Sequence, residues 1–501
     1  MRAASWRATG WALLAGLTAG TLSCARNPVT GKNEISLVSE SQEIQMGQEY
    51  AQQIVRSMGV YDDKKVQDYV SRLGMGMAAK SERPQLPWAF YVMDDPTVNA
   101  FALPGGSIFV TRGILTHMNN EAELVGVLGH EIGHVTARHS VQQMTRQQIA
   151  QIGVGVGSIL SSDVAQYAGL ASQGLGVLFL KYGRDAESQS DQLGFKYMVR
   201  EGYDPRAMAS MFTTLQRVSQ LEGAGDIPEW QSTHPDPGNR VEATKKRLDT
   251  LSVPLSQLRD GRETYMPVIA GMTYGEDPRQ GYVEGNTFYH PGLKFKLDLP
   301  DGWQSQNTPE ALAAISPQQD AMLQLTAPGK GTPDEAVKQF VGQEGVKTGQ
   351  VSSSPVNGLP AASTQFEAQT EQGVVQGVVA FIKYGDLTYR ILGYTPAGKL
   401  QTYDKTFRSS IGSFSELKDP AHLSVEPFKV ELVKVDREMT FTDFNGKYPS
   451  TIPVERVAVV NGYDAPTDRI PAGTTVKRII GGKGAEAAQK KKAPADSASG
   501  R

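Results

Sequence analysis

A chain of 501 residues has room for about two or three domains. Its 50 basic and 53 acidic residues balance, and no basic stripe runs along any segment, which excludes an electrostatic nucleic-acid binder. With a single cysteine it cannot be a disulfide-stapled scaffold.

Arg2 and Arg7 make a basic start, and Gly10 to Ser23 is a run of apolar and small residues. That run is too short for an ordinary spanning helix and suits a signal h-region. It ends at Cys24, the lone cysteine. In Thr21-Leu22-Ser23 the small Ser23 fits the site before a lipidated cysteine, whereas Thr21 departs from the usual Leu. Residues 1–24 therefore read as a lipoprotein signal peptide, with a plain secretory signal as the alternative. Ala25, rather than Asp, follows the cysteine, which in a Gram-negative cell points to the outer membrane. The protein is expected to be exported, periplasmic and held to the membrane by a lipid on Cys24.

Asn120 is a good helix N-cap, with Glu123 at N3 in a capping-box pattern. Leu124, Val127, Leu128, Ile132 and Val135 follow at helical spacing, predicting a buried helix over roughly 121–142. On it lie His130-Glu131-Ile132-Gly133-His134. Positions i and i+4 share a helix face, so His130 and His134 can hold one zinc ion while Glu131 reaches a water. Zinc lowers the pKa of water from about 15.7 to about 7. The adjacent carboxylate can take the proton and return it to a leaving amine. The reaction this pattern fits is peptide-bond hydrolysis; the pentad alone also admits two core histidines.

The Gly-rich stretch Ile149–Leu180 is interrupted by Ser161, Ser162, Asp163 and Gln166, and reads as two short segments covering the active site, or as plain core packing. Arg184-Asp185-Ala186-Glu187-Ser188-Gln189-Ser190-Asp191 then opens another helical pattern through Leu193, Tyr197 and Met198. A zinc peptidase needs a third protein ligand and one open position. Glu187 reads as that ligand, and Asp191, one turn on, as an acceptor for a ligand histidine's free N–H. A solvated helix face is the competing reading of such a pair.

The order His130–His134 followed by Arg184-x-x-Glu187-x-x-x-Asp191 resembles the HtpX / CAAX-prenyl-protease family of zinc metallopeptidases. Asn99–Gly106, running into Ile108–Gly113, is similar to that family's strand before the zinc helix. Ser232-Thr233-His234-Pro235 with Arg240 is similar to the motif closing its catalytic domain. Ser190 stands where the family usually has Ala, and both are small. Asn27-Pro28-Val29-Thr30-Gly31 resembles the start of the family's mature periplasmic lipoprotein members. The match covers about 40–250. It implies a mainly helical zincin-type metallopeptidase domain with a small edge sheet, placed at 25–265. It also implies one Zn2+ per chain on His130, His134 and Glu187, with Glu131 as general base. It sets His234 and Arg240 near the metal. There His234 either fills the open coordination position and holds the enzyme latent, or donates to an oxyanion with support from Arg240. His139, His117, His290 and His422 lack partners at ligand spacing and read as structural or exposed. Ala100–Leu103 is expected to present a strand edge to which an extended substrate adds.

After about 270 the texture changes. Leu293, Phe295, Leu297 and Leu299 alternate with polar residues as in a strand. Thr332-Pro333-Asp334-Glu335 opens a helix through Phe340. Val374–Tyr384 and Leu387–Tyr394, split by Gly385-Asp386, read as a hairpin, and Lys399–Phe414 as a closing helix. This second, α+β sandwich-like domain over about 284–415 resembles PsbP/Mog-like proteins. Residues about 425–482 resemble a small LysM-like module through Val454–Asn461, Gly462 and Ile470–Lys477. The Gly-Asp-Thr opening of glycan-binding LysM is absent, which counts against peptidoglycan binding. The tail 483–501 is rich in Ala, Lys and Ser and reads as disordered.

The fold expected is thus α+β and multidomain. The function expected is a zinc endopeptidase acting on unfolded or misassembled cell-envelope proteins. The alternative is a latent, chaperone-like scaffold in envelope protein assembly that binds through its C-terminal domains.

Overall fold

The computed structural model describes residues 23–153, 182–222, 234, 237–370 and 373–482. Residues 1–22 of the segment read as a signal peptide, all of Ile149–Leu180 beyond residue 153, Ser232, Thr233 and Pro235, and the tail from 483 lie outside them. The chain divides into two compact units. The first takes the described residues up to Gln53, those within Val60–Ile269, and Ala458–Asp468. The second takes Ile54–Gly59, those within Ala270–Val457, and the residues from Arg469 onward.

The first unit is mainly helical. β1 (Ser23–Arg26) and β2 (Asn33–Ser36) pair antiparallel, with Cys24 opposite Ile35. Next come α1 (Glu40–Met58) and α2 (Lys64–Ala78), the latter capped by the Asp63 carboxylate, which accepts from the Lys65 and Val66 N–H groups. β3 (Ala89–Met93), β4 (Ala100–Ala102) and β5 (Ser107–Thr111) form a sheet in the order β3-β5-β4. β3 runs parallel to β5 and β4 antiparallel, so β4 is an edge strand. Its three residues are nonetheless buried. Thr111 ends β5 and caps α3 (Arg112–His117) by accepting from the Ile114 N–H.

α4 (Glu121–Thr136) is the central element, and all 16 of its residues are buried. Asn120 accepts the Glu123 N–H at 2.8 Å. The Glu123 carboxylate reaches past the cap to accept the Asn119 N–H at 2.7 Å, so the capping loop closes one residue upstream of the expected box. The helix stops at Thr136 and does not continue to about 142. Arg138 takes φ 58°, and its guanidinium donates to Glu43 at 2.9 Å and to the Val38 carbonyl at 3.0 Å. A separate helix, α5 (His139–Gly153), then begins.

α6 (Arg184–Arg200) lies directly against α4. A Cβ on Gly194 would sit 3.0 Å from the His130 nitrogen, and one on Gly133 would sit 3.1 Å from the Ser190 Cα. Glycine on both helices lets the two backbones meet. α7 (Arg206–Glu222), α8 (Pro237–Leu248) and α9 (Arg262–Ile269) complete the helical set. Residues 458–468 pack with this unit: Arg217 donates to the Gly462 carbonyl and to Asp464, both at 2.6 Å.

The second unit opens with β6 (Thr273–Tyr274), β7 (Tyr282–Glu284), β8 (Thr287–His290) and β9 (Phe295–Asp298). In β9 the expected alternation buries Phe295 and Leu297, while Leu293 lies before the strand and is exposed. β10 (Gln304–Asn307), β11 (Ala311–Ile315), β12 (Met322–Gly329), β13 (Val346–Thr348), β14 (Ala361–Thr370), β15 (Gly373–Tyr384) and β16 (Leu387–Pro396) form one antiparallel sheet. Its order is β10-β11-β12-β16-β15-β14-β13. β15 and β16 are the hairpin read from Gly385-Asp386, with Tyr384 opposite Leu387.

Along β15, Val378, Ala380 and Ile382 face one core, while Val379 and Phe381 face the other, as the strand's period of two requires. Helix α10 (Pro333–Val341), started by a full capping box at Thr332, covers the second face with Val337 and Phe340. Helix α11 (Leu400–Ser413) covers the first with Phe407 and Ile411. Beyond these come β17 (Ser415–Glu416) and α12 (Pro420–Leu423). β18 (Phe428–Lys434) and β21 (Thr475–Gly481) pair antiparallel. Between them in sequence lie β19 (Met439–Thr440), α13 (Phe441–Lys447), α14 (Val454–Val460) and β20 (Arg469–Ile470). The architecture is mixed α+β and multidomain. Among the described residues, no helix is long and apolar enough to cross a membrane.

Candidate metal centre

One turn of α4 separates His130 from His134, and their Nε2 atoms are 3.0 Å apart. From α6, Glu187 brings Oε1 to 3.3 Å from His134 Nε2 and Oε2 to 3.5 Å from His130 Nε2. His234 places Nδ1 3.2 Å from His130 Nε2 and 3.1 Å from Glu187 Oε1. These four donors lie within 4.8 Å of one another, and all four residues are buried. A tetrahedron with roughly 2.0–2.1 Å bonds has edges of about 3.3 Å, so the spacing and the imidazole–carboxylate chemistry both fit zinc.

Glu131 lies beside this cluster, fully buried, and neither carboxylate oxygen has a hydrogen-bond partner among the described residues. His234 Nε2 stands 3.5 Å from its Oε1. A buried carboxylate whose oxygens make no hydrogen bond calls for an explanation, and a catalytic role is one. Burial pushes the Glu131 pKa up, and the Glu187 charge adds to the rise. Burial would also raise Glu187, but His234 and Arg240 hold it well below the usual carboxylate range.

The outer nitrogens of the two α4 histidines meet different partners. His130 Nδ1 donates to Asp191 Oδ1 at 2.9 Å. Burial and Arg240 work against a proton on His130, yet the bonds to Asp191 and Glu187 prevail and raise it to about 9. Arg240 itself donates to both Asp191 oxygens, at 2.9 and 2.6 Å, and its Nη1 lies 3.2 Å from Glu187 Oε2. Its guanidinium also sits 4.1 Å over the Phe212 ring. Arg240 therefore braces two carboxylates, and its Nη2 also lies 3.1 Å from His130 Nδ1.

His134 is served by His139, with the two Nδ1 atoms 3.0 Å apart. His139 is 4% exposed, and its Nε2 lies 2.8 Å from Gln189 Oε1. Burial lowers His139 to about 4. Tyr182 stacks on the His134 ring at 4.1 Å, and its hydroxyl is 2.7 Å from Ser140 Oγ. Neither residue stands out by ligand spacing. On an unbroken helix, residues five apart sit about 140° apart around the axis, so an α4 running to 142 would turn His139 away from His134. The left-handed Arg138 removes that restriction. The three other histidines lie elsewhere: His117 is buried on α3, with Nδ1 2.8 Å from the Gly113 carbonyl, and His290 and His422 belong to the second unit.

Residues 64–248 match the model of peptidase family M48. The chain is 29% identical over 233 residues to the beta-barrel assembly-enhancing protease of Escherichia coli (strain K12), covering 45% of this chain and 47% of that one. It is 31% identical over 247 residues to the mitochondrial metalloendopeptidase OMA1 of Schizosaccharomyces pombe, covering 47% of this chain and 68% of that one. Among solved structures it is similar to the cyanobacterial PsbP of Synechocystis sp. PCC 6803, at 10% identity and a TM-score of 0.22, covering 26% of this chain and 91% of that one. The chain spans about half the length of the bacterial proteases it matches. By its matched catalytic region and by its likeness to two metalloprotease lineages, the chain belongs to peptidase family M48.

Proposed function

We propose that this chain is a zinc metalloendopeptidase. The observation that carries the reading is the buried cluster of His130, His134, Glu187 and His234 beside a buried Glu131 whose oxygens accept no hydrogen bond among the described residues. His130, His134 and Glu187 would hold the ion. When bound, zinc supplies Lewis acidity, polarising a carbonyl oxygen and lowering the pKa of water. Glu131, with its raised pKa, takes the proton from the attacking water and delivers it to the leaving amine nitrogen. Asp191 accepts from His130 and is itself gripped by Arg240, which keeps the ring oriented.

His234 is read as a fourth donor that closes the site at rest and withdraws when substrate arrives. Its Nδ1 already lies among the donors, which favours latency over an oxyanion role. β4, the edge of its sheet, is read as the strand that an extended substrate joins. Substrates are proposed to be unfolded or misassembled envelope proteins. Support comes from the N-terminal signal pattern and from the name of the Escherichia coli relative. The same pattern supports export and a lipid anchor on Cys24, with the outer membrane as destination. The antiparallel pair β18–β21, with two helices between the strands in sequence, supports a LysM-like module, and the helix-covered seven-stranded sheet supports a separate α+β domain before it.

The test is cleavage of casein by the full chain. Activity should be abolished by a chelator and restored by added zinc. Cleavage that persists after complete removal of metal contradicts the reading.

A further inference from the structure

We propose that His139 is a positioning residue that fixes the tautomer and rotation of His134 through a neutral chain running from Gln189 to His139 to His134. The outer nitrogen of the other α4 histidine meets a carboxylate. His130 leans on Asp191, and Arg240 secures Asp191 in turn. Among the described residues, no carboxylate bonds the outer nitrogen of His134, which meets a second imidazole instead.

The direction of each proton follows from the far end of the chain. Gln189 Oε1 can only accept, so the 2.8 Å contact puts the His139 proton on Nε2. A neutral imidazole protonated at Nε2 carries a bare Nδ1. That nitrogen must accept across the 3.0 Å contact, so His134 carries its proton on Nδ1. His134 Nε2 is then left with its lone pair, and this is the atom that faces Glu187 and the donor cluster. Ser190 Oγ, at 3.3 Å from His139 Nδ1, is a second and longer neighbour of the same acceptor.

Rotation is fixed as well. Tyr182 stacks on the His134 ring within 24° of parallel, while His139 meets the ring edge at 75°. Face and edge are both held, so the ring cannot swing its Nε2 away from the cluster. The left-handed Arg138 is what delivers His139 to this place. Outer partners of metal-ligating histidines are worth about 10–100-fold in metal affinity.

The proposal rests on the metal-centre reading above, and the experiment separates the two. Zinc affinity of the full chain is measured by competition with a colorimetric chelator for wild type, His139→Leu and His139→Asn. Leucine removes the acceptor. Asparagine sets a carbonyl oxygen where Nδ1 stood. His139→Leu should bind zinc about 10–100-fold more weakly, and His139→Asn should recover most of that loss. Gln189→Leu should weaken zinc in the same direction; Gln189 is half-buried on the wall of a cleft of about 800 Å3, so its replacement disturbs little packing. Equal affinity in wild type and His139→Leu overturns the proposal, as does an asparagine variant no better than leucine. Nitrogen-15 spectra of the histidine rings in the zinc-loaded wild type give a check that needs no variant: His139 should be protonated at Nε2 and bare at Nδ1, and the opposite tautomer overturns the chain. A wild-type protein that takes up no zinc overturns the metal-centre reading itself, and the relay with it.

Discussion

His234 carries the widest range of consequences of any residue in the cluster. It is 1% exposed, its Nδ1 is among the four donors, and its Nε2 faces Glu131. If it closes the site at rest, His234→Ala should raise basal peptidase activity, read as initial rates at equal zinc occupancy. A fall of about 10²–10³-fold, typical of losing one oxyanion donor, would assign it the other role. The residues at helical spacing were legible because one helix turn is enough to define a face: His130 with His134, and Glu187 with Asp191. His139 was not, because its position depends on a backbone break at Arg138 that no spacing rule encodes. Arg240 was legible as a neighbour of the site. Its grip on Asp191 and Glu187 was not, since sequence gives no direction for a long side chain.

The contact between α4 and α6 is the element on which the site depends, because each helix supplies part of the donor set. It is close because Gly129, Gly133 and Gly194 lie in the seam. Gly194→Ala puts a methyl 3.0 Å from the His130 nitrogen, against backbone that cannot yield as a flexible side chain would. Overpacking of this kind costs about 1–3 kcal/mol, so the melting temperature should drop. Zinc should also bind more weakly, since the helices must part where the ligands converge. A variant with wild-type stability and zinc affinity would show that the seam has slack. The existence of both helices was clear from apolar periodicity and from Asn120. The end of α4 was not: the apolar pattern continues to Val141, and the stop at Thr136 goes with tertiary bonds, of Arg138 to Glu43 and Val38, of Arg83 to the Val135 carbonyl and of Asn27 to the Ala137 carbonyl.

For the molecule as a whole, the change of texture after about 270 marks the passage from a mainly helical unit to a sheet-rich one. The β15–β16 hairpin and the box at Thr332 were readable because they are local, set by Gly385-Asp386 and by four consecutive residues. The order of the seven-stranded sheet was not, because β12 pairs with β16 across a helix and three other strands in sequence. Nor could spacing reveal that Ala458–Asp468 packs with the first unit through Arg217. If an extended substrate joins β4 as a further strand, as proposed, a rigid folded domain cannot supply that strand. Cleavage should therefore be faster on an unfolded protein than on its folded form, and equal rates on both contradict strand addition at β4.

The chemistry rests on a division of labour between residues that would hold zinc and one that moves a proton. Glu131→Gln separates the two, since an amide keeps the volume of the carboxylate and cannot accept the proton of the attacking water. The decisive measurement is zinc content and casein turnover of the purified full chain, wild type against Glu131→Gln. Both proteins should hold one zinc per chain, and the variant should lose about 10²–10⁴-fold in turnover. A zinc-loaded Glu131→Gln that cleaves casein at the wild-type rate would contradict the assignment of Glu131, and with it the peptidase mechanism.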